Sequence, residues 1–261
     1  MAPRLPQKAD VEIYAILNRA IETGSAICDV QLRELINKAG TLGVPNKYAC
    51  LSAVYSYALD CNKVVENAVK AIKMGVSDEE CVFNTLSALS NMKLFSEIVK
   101  IAKKYPVLLG YNVPRGEIYD AAIRVLELDY CEYISEKYSL SLDSRKKRDC
   151  RSLRNHFCND SRLIKQAGEY LNAAYVELIS VLKNHKYRTT SINFGVEYYP
   201  DGECLEVEIN IYSADYYAVD DIINIEEQWF KKLSTYQLSD EKLASISFGI
   251  RWDDDFSRKA S

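Results

Sequence analysis

The sequence contains two histidines, His156 and His185, so any catalysis that uses an imidazole must use one of them. Cys150, His156 and Cys158 are the closest set of metal-ligating residue types, with a Cys-x5-His-x-Cys spacing. No fourth ligand follows at a comparable spacing, and the arginines among them would repel a divalent cation. We therefore predict no resident metal, although zinc bound by the purified protein would overturn this prediction.

Carboxylates gather in a later segment, where Asp201 is followed by Glu206 and Glu208. This spacing resembles that of metal-dependent nuclease sites, but those sites carry a lysine where Glu208 stands. Asp201 is already explained by a Tyr-Pro-Asp-Gly turn. The sequence also lacks a glycine-rich phosphate loop and the common hydrolase and zinc-protease motifs. We predict no catalytic residue and no cofactor; an enzyme of unfamiliar type that uses the sheet carboxylates is the third hypothesis.

The same segment is rich in tyrosine as well as in acid. Tyrosine is enriched at recognition surfaces, so the segment predicts a surface that binds a partner. The simpler interpretation is an ordinary solvated face of a sheet. The residues assigned to the partner surface are Glu197, Tyr199, Glu206, Glu208, Tyr212, Tyr216 and Tyr217.

Basic residues concentrate in the middle of the chain. Residues 1–144 carry a charge of about −2, residues 145–190 about +7 and residues 191–261 about −9. One interpretation of the basic stretch is a solvated connector between domains. The other is a contact for nucleic acid or an acidic partner, because clustered guanidinium and ammonium groups bind phosphate oxygens. The residues of this stretch are Arg145, Lys146, Lys147, Arg148, Arg151 and Arg154.

Composition excludes several classes of protein. A net charge of −4 argues against a uniformly basic nucleic-acid binder. No run of apolar residues is long enough to span a membrane, and the first residues lack the apolar core of a secretory signal. The eight cysteines are scattered singly, which is typical of a reducing compartment. We predict a cytoplasmic protein with no membrane contact.

The first half of the chain contains a sequence repeat, and this repeat predicts the helices of that half. Residues 70–76 match residues 38–44, with lysine, alanine, a large apolar residue, glycine and valine at equivalent positions. A more divergent copy occupies residues 101–107, and the spacing of about 32 residues is that of helical-hairpin repeats. The pattern predicts stacked helical hairpins, with Gly43 and Gly75 closing two of them and Gly43 in the left-handed conformation.

Residues 75–78, Gly-Val-Ser-Asp, followed by residues 83–86, Phe-Asn-Thr-Leu, carry a family resemblance. They resemble the turn and first helix of pentatricopeptide repeats, within the wider pentatricopeptide and tetratricopeptide superfamily, with Asp78 in place of the usual proline. The resemblance covers roughly residues 10–140. It implies that Asn84 and a residue of the turn would read RNA bases.

The periodicity changes towards the end of the chain. An amphipathic helix is predicted first, then two strands whose apolar residues alternate about a turn, then a helix and a third strand. The predicted ranges are 163–183, 192–198, 205–211, 219–233 and 246–252. The predicted fold class is α+β, with an all-α helical-hairpin repeat array before a small β-β-α-β domain. Its predicted parts are the array at 1–140, a basic connector at 141–160 and the α+β domain at 161–261.

The sequence supports two leading hypotheses about function. The first is a non-catalytic interaction or adaptor protein, which binds a protein partner through the helical array, the acidic tyrosine-rich sheet or both. The alternative is an RNA-binding protein that uses the repeat helices and the basic stretch. Self-association into a homo-oligomer stays open.

Overall fold

The computed structural model describes most of the chain, and the remaining residues lie outside the description that follows. The described residues are 5–22, 27–138, 144–184, 192–199, 204–211, 219–238 and 240–252. At 5–8, 21–22, 144–149, 184, 219 and 251–252 and in the first two strands the description is of the backbone alone. The residues divide into two compact units, one ending at Ala121 and the other beginning at Ala122.

Consecutive helices build the first unit. They are α1 (Leu5–Glu22), α2 (Asp29–Gly40), α3 (Asn46–Tyr57), α4 (Cys61–Gly75), α5 (Glu79–Asn91), α6 (Phe95–Lys104), a 3-10 helix (Pro106–Gly110) and the start of α7 (Asn112–Arg124). The helix α3 packs against α1, α2, α4 and α5. No single helix could bury its apolar stripe alone, so the neighbouring helices stabilise one another by covering these stripes.

Local signals explain where these helices begin. The Asp60 side chain accepts a hydrogen bond from the Lys63 backbone N–H at 3.2 Å at the start of α4. Asp78 does the same for the Cys81 N–H, also at 3.2 Å, at the start of α5. Each carboxylate satisfies a donor that has no partner within its helix and interacts favourably with the helix dipole.

The turns inside the helical hairpins repeat a single geometry. The left-handed backbone conformation recurs at Leu59, Lys93, Leu126 and Cys158, about 33 residues apart. In each turn the following N–H donates to a carbonyl five residues back, which satisfies carbonyl groups at the end of the preceding helix. The donor and acceptor pairs are Asp60 and Tyr55, Leu94 and Leu89, Glu127 and Ala122, and Asn159 and Arg154. The helices from α1 to α6 therefore pack in succession, and turns of one geometry recur along the chain.

The prediction that Gly43 is a left-handed helix stop is wrong. Its φ angle lies outside the left-handed range, and in the described part of the chain the left-handed positions hold residues other than glycine. Gly75 does end α4, but for a reason of packing. A Cβ atom on Gly75 would lie 2.6 Å from Cγ of Pro45 and 2.9 Å from Sγ of Cys81. Glycine is required there because α4 approaches its neighbours closely.

The second unit contains the end of α7, five further helices and three strands among its described residues. They are α8 (Leu128–Lys137), α9 (Ser144–His156), α10 (Ser161–Asn184), β1 (Ile192–Tyr199), β2 (Cys204–Ile211), α11 (Val219–Leu233), α12 (Glu241–Ala244) and β3 (Ile246–Trp252). The basic stretch interpreted as a connector is thus helical over most of its length. The bounds of α11 agree with the predicted helix, because its apolar residues recur with a strong helical period.

The described strands form one sheet in the order β1-β2-β3. The first pair is antiparallel and the second is parallel, with Val207 opposite both Val196 and Phe248. At β3, the Ile250 N–H donates to Oε1 of Glu226 on α11 at 2.9 Å. This bond satisfies an edge-strand donor that would otherwise be open to another chain. The assignment of a separate β-β-α-β domain remains a prediction.

The core of the second unit centres on α10 and α11. Trp229 of α11 is fully buried, and its indole N–H donates to the Ala174 carbonyl of α10 at 2.8 Å. The hydroxyl of Tyr175, also fully buried, donates to the Arg124 carbonyl at 3.1 Å. These bonds satisfy polar groups that would otherwise be buried at a cost.

Most described residues are helical, which confirms the helical character predicted for the first half. Among the described helices, none combines the length and the apolar composition needed to cross a bilayer.

Candidate functional site

A groove crosses the first unit over the helices α1, α3 and α5. These are the first helices of three consecutive hairpins, and α3 packs against the other two. The groove encloses about 580 Å³, within the usual range of ligand-binding pockets. Its lining residues are Val11, Tyr14, Ala15, Leu17, Asn18, Ala53, Ser56, Tyr57, Glu80, Phe83, Asn84, Ser87, Ala88 and Asn91.

The floor of the groove belongs to the hydrophobic core. Leu17, Tyr57 and Ala88 are buried, and Leu17 and Tyr57 are members of the cluster that joins α1, α2 and α3. The Tyr57 hydroxyl accepts a hydrogen bond from the Ile27 N–H at 3.0 Å, which anchors the ring. The floor is therefore held in place by core packing, so the groove is preformed.

Two hydroxyls of the lining, those of Ser56 and Tyr14, are buried without a well-formed hydrogen bond to a described residue. Ser56, on α3, is 1% exposed, and its Oγ forms no hydrogen bond with any residue in the described part of the chain. A buried hydroxyl left without a partner costs roughly 1–3 kcal/mol relative to a satisfied one. The Oγ has almost no exposed surface, so this cost belongs to the packing of the floor and does not identify an occupant of the groove.

Tyr14 adds a second hydroxyl to the same lining. Burial, followed by the neighbouring Cys50 thiol, raises the pKa of Tyr14 above its ordinary value. The hydroxyl therefore stays protonated at physiological pH and can donate as well as accept. The hydroxyl oxygen, like the Oγ of Ser56, has almost no exposed surface and no well-formed hydrogen bond to a described residue.

The upper part of the groove is amphipathic. Val11 is 68% exposed and Phe83 is 36% exposed, so apolar surface is available to a ligand. The lining also includes Asn18, Asn84 and Asn91. A primary amide offers both donors and an acceptor, which is the complement of a peptide bond.

The electrostatic character of the groove is negative. Glu80 is exposed, and none of the described lining residues is a lysine, an arginine or a histidine. A further carboxylate, that of Asp10, lies close enough to contribute to the raised pKa of Tyr14. The groove therefore disfavours an anionic ligand such as a nucleic-acid backbone.

The candidates for RNA binding lie in different environments. Asn84 lines the groove, as described above. Arg151 is exposed on α9, whereas Arg154 is 21% exposed in its side chain and bonds Asp129 at 2.6 Å and Glu132 at 2.8 Å. Arg154 is therefore already occupied by carboxylates of α8. The remaining candidates have side chains outside the described part of the chain: Arg145, Lys146, Lys147 and Arg148.

The weak metal candidates do not converge. Cys150 and His156 are buried on α9, whereas Cys158 is exposed in the turn that follows. The His156 ring packs edge-on against Phe157 with ring centroids 4.7 Å apart. Across the described residues, no group of three or more histidine, cysteine and carboxylate side chains could hold a metal ion.

The acidic and tyrosine-rich surface is described in part. Glu197 and Tyr199 lie on β1, and Glu206 and Glu208 lie on β2, with Glu197 directly opposite Glu206 in the register. Their side chains lie outside the description. The other members of the surface, Tyr212, Tyr216 and Tyr217, fall outside the described residues altogether. The assignment of this surface to partner binding remains a prediction.

Sequence reasoning named Asn84 but missed the rest of the groove. Neither Tyr14 nor Ser56 belongs to a recognisable motif. A signal was present, since Ser56 and Ser87 are small polar residues about one repeat apart on first helices. Polar residues on the core-facing side of successive first helices would have indicated a shared groove.

Comparison of the chain with models of protein families, with curated proteins and with solved structures found no match. Of the resemblance to pentatricopeptide and tetratricopeptide repeats, the structure supports the helical architecture, and no match identifies the family. The structure has helices that pack in succession and turns that repeat.

Burial near the groove makes a prediction about thiol reactivity. Burial raises the pKa of Cys50 to about 12 and that of Cys81 to about 11. Because the thiolate is the nucleophile, both should react slowly with iodoacetamide at pH 8. Cys28 and Cys158 are exposed and should be modified first, as followed by peptide mass spectrometry. Labelling of Cys50 as fast as that of Cys28 in the folded protein would contradict the prediction.

Proposed function

We propose that this chain is a non-catalytic interaction protein whose helical array binds an extended peptide segment of a protein partner. The groove over α1, α3 and α5 receives the segment. Apolar side chains of the segment pack on Val11 and Phe83, and its peptide bonds pair with the amides of Asn18, Asn84 and Asn91. The array is of the helical-hairpin repeat type, which presents extended binding surfaces.

The amphipathic lining of the groove carries this proposal. Val11 and Phe83 offer exposed apolar surface, and Asn18, Asn84 and Asn91 line the same groove. A helix packed there through apolar side chains alone would leave the asparagine amides unsatisfied. An extended peptide has unpaired main-chain N–H and C=O groups, so it can pair with these asparagines.

A second surface, on the sheet, contributes to partner binding in this proposal. We propose that the β-β-α-β sheet, with its acidic and tyrosine-rich residues, extends the contact with the partner. Every described cysteine is a free thiol, which favours a reducing compartment such as the cytoplasm. The RNA-binding alternative lacks support in the groove, because the described lining has no cation.

The proposal is tested with a photo-crosslinking residue placed at Asn84, in the cells that produce the protein. Mass spectrometry identifies the crosslinked segment of the partner. The corresponding synthetic peptide is then titrated against the purified chain and against Ser87→Trp, which fills the groove. We expect Ser87→Trp to weaken binding by at least tenfold, since the indole occupies the volume that the peptide needs.

Ser77→Trp is the matched control, because Ser77 is exposed just before α5 and does not line the groove. It should leave the dissociation constant within about twofold of the wild type. Equal binding by wild type and Ser87→Trp, with both variants folded by circular dichroism, would refute the proposal. Crosslinks to nucleic acid in place of protein would favour the RNA-binding alternative.

A further inference from the structure

We propose that a pocket on the second unit binds the trimethylammonium group of a methylated lysine in a partner protein. The pocket encloses about 340 Å³ beside α10, α11 and β3. Four aromatic rings line it, those of Tyr170, Phe230, Tyr236 and Phe248, and leucines and one serine complete the lining. The pocket shares no residue with the groove of the first unit, so this proposal stands independently of the proposed function.

Core packing holds one side of the pocket in place. Phe248 of β3 packs edge-on against the fully buried Trp229, with ring centroids 5.3 Å apart. Leu233 of α11, another lining residue, is only 6% exposed. These residues cannot move without disturbing the core, so the pocket is preformed.

The rings of the lining are inclined to one another. The Tyr170 ring lies 5.5 Å, between centroids, from the Phe248 ring with the planes at 84°, and 5.9 Å from the Tyr236 ring with the planes at 60°. Inclined rings form adjoining walls, whereas parallel rings would stack and close the space between them. Because the face of an aromatic ring carries the negative part of its quadrupole, a lining of this kind attracts a cation.

The cations of the chain itself leave these rings open. At other tyrosines a lysine of the same chain occupies the ring face: Nζ of Lys63 lies 4.8 Å from the Tyr55 centroid, and Nζ of Lys137 lies 5.1 Å from the Tyr133 centroid. Within the part of the chain that the structure describes, no lysine or arginine lies over the four rings of the pocket. A cation from another molecule can therefore use them.

The lining favours a methylated ammonium group over an unmodified one. None of the described lining residues carries a formal charge, and the Ser234 hydroxyl already donates to the Lys231 carbonyl at 2.9 Å. An unmodified ammonium group is strongly hydrated and would lose that water without gaining charged acceptors. A trimethylammonium group has no N–H donor to satisfy, and it presents methyl groups to the rings while keeping its charge.

The exposure of the pocket indicates how the group is carried. Phe230 is 40% exposed and Tyr236 is 38% exposed, so the pocket opens to solvent between them and the buried wall. A free small molecule would be enclosed on one side only. A lysine side chain can place its terminal group against the rings while the partner packs around the opening.

The proposal is tested with three short peptides that differ at one residue, titrated against the full chain by calorimetry. The residue is trimethyllysine, unmodified lysine or the neutral isostere of trimethyllysine in which carbon replaces the charged nitrogen. The isostere has the same shape and lacks only the charge. We expect trimethyllysine to bind at least about fivefold more tightly than either of the others.

Variants of Tyr236 locate the binding. Tyr236→Leu should weaken trimethyllysine binding by at least about fivefold, whereas Tyr236→Phe keeps the ring and should stay within about twofold of the wild type. Tyr133→Leu is the matched control, because Tyr133 is 39% exposed but lies outside the pocket. It should leave binding unchanged, and circular dichroism must show that all three variants are folded.

Equal binding of trimethyllysine and its neutral isostere would overturn the proposal, because the pocket would then be simply apolar. Full binding by Tyr236→Leu would also overturn it. Free choline that binds as tightly as the peptide would overturn the assignment to lysine. None of these results bears on the groove of the first unit, whose test uses Ser87→Trp.

Discussion

Replacement of Trp229 by alanine is expected to lower the free energy of unfolding by about 3–5 kcal/mol. Trp229 has 0% exposure, and its ring lies 5.3 Å, between centroids, from that of Phe248 on β3. Its indole N–H also bonds the Ala174 carbonyl on α10. Removing the ring leaves a cavity where α10, α11 and β3 meet, and neighbouring helices cannot collapse fully into it.

Urea unfolding followed by far-ultraviolet circular dichroism measures this change. Phe230→Ala is the control, since Phe230 follows directly on α11 but is 40% exposed. Phe230→Ala should lower the free energy of unfolding by less than about half of the loss for Trp229→Ala, because Phe230 has less apolar surface buried in the fold. The loss of unfolding free energy for Trp229→Phe should lie between the losses for Trp229→Ala and Phe230→Ala, since phenylalanine keeps an aromatic ring but lacks the N–H donor. A loss below about 1 kcal/mol for Trp229→Ala would contradict the assignment of Trp229 to the core.

Replacement of Gly168 by alanine is expected to destabilise the protein by about 1–3 kcal/mol or more. A Cβ atom at Gly168 would lie 2.3 Å from the Val125 carbonyl oxygen and 3.3 Å from its carbon. Val125 belongs to the turn between α7 and α8, next to the left-handed Leu126. The obstructing atoms are backbone atoms, so no change of rotamer can relieve the clash, and α10 must move away from the turn.

Gly116→Ala is the matched control for this prediction. Gly116 lies inside α7, and a Cβ atom there would have no heavy atom within 4 Å. Alanine should therefore stabilise the protein by up to about 1 kcal/mol through helix propensity. Opposite shifts in the unfolding midpoint are expected for the two substitutions. A stabilising Gly168→Ala would show that α10 does not approach the turn as closely as described.

Much of the helical part could be predicted from local sequence. The apolar periodicity of residues 219–233 gave the bounds of α11, and the carboxylates of Asp60 and Asp78 begin α4 and α5. These features depend on residues within one or two turns of each other. Turn geometry was harder, because the left-handed positions hold Leu59, Lys93 and Leu126 in place of glycine, and the surrounding packing enforces them.

The candidate site was less accessible to sequence reasoning. Asn84 was identified through a resemblance that implied base reading, whereas its neighbours in the groove include exposed apolar side chains and a carboxylate. Arg154 was selected for its charge, but carboxylates of α8, more than twenty residues away in sequence, bind its guanidinium group. The pairing of a surface charge depends on which helices lie side by side, and a single segment does not contain that information.

The amino-acid sequence by itself determined the helical character, the repeat spacing and the absence of recognisable catalytic motifs, because periodicity, capping and motifs are properties of neighbouring residues. The tertiary structure alone decided that Ser56 is buried without a partner and that Glu80, unlike Glu79, lines the groove. It also decided that Gly75 and Gly168 serve close packing. Burial and close approach arise between helices distant in the chain, so they appear only when the helices are packed together.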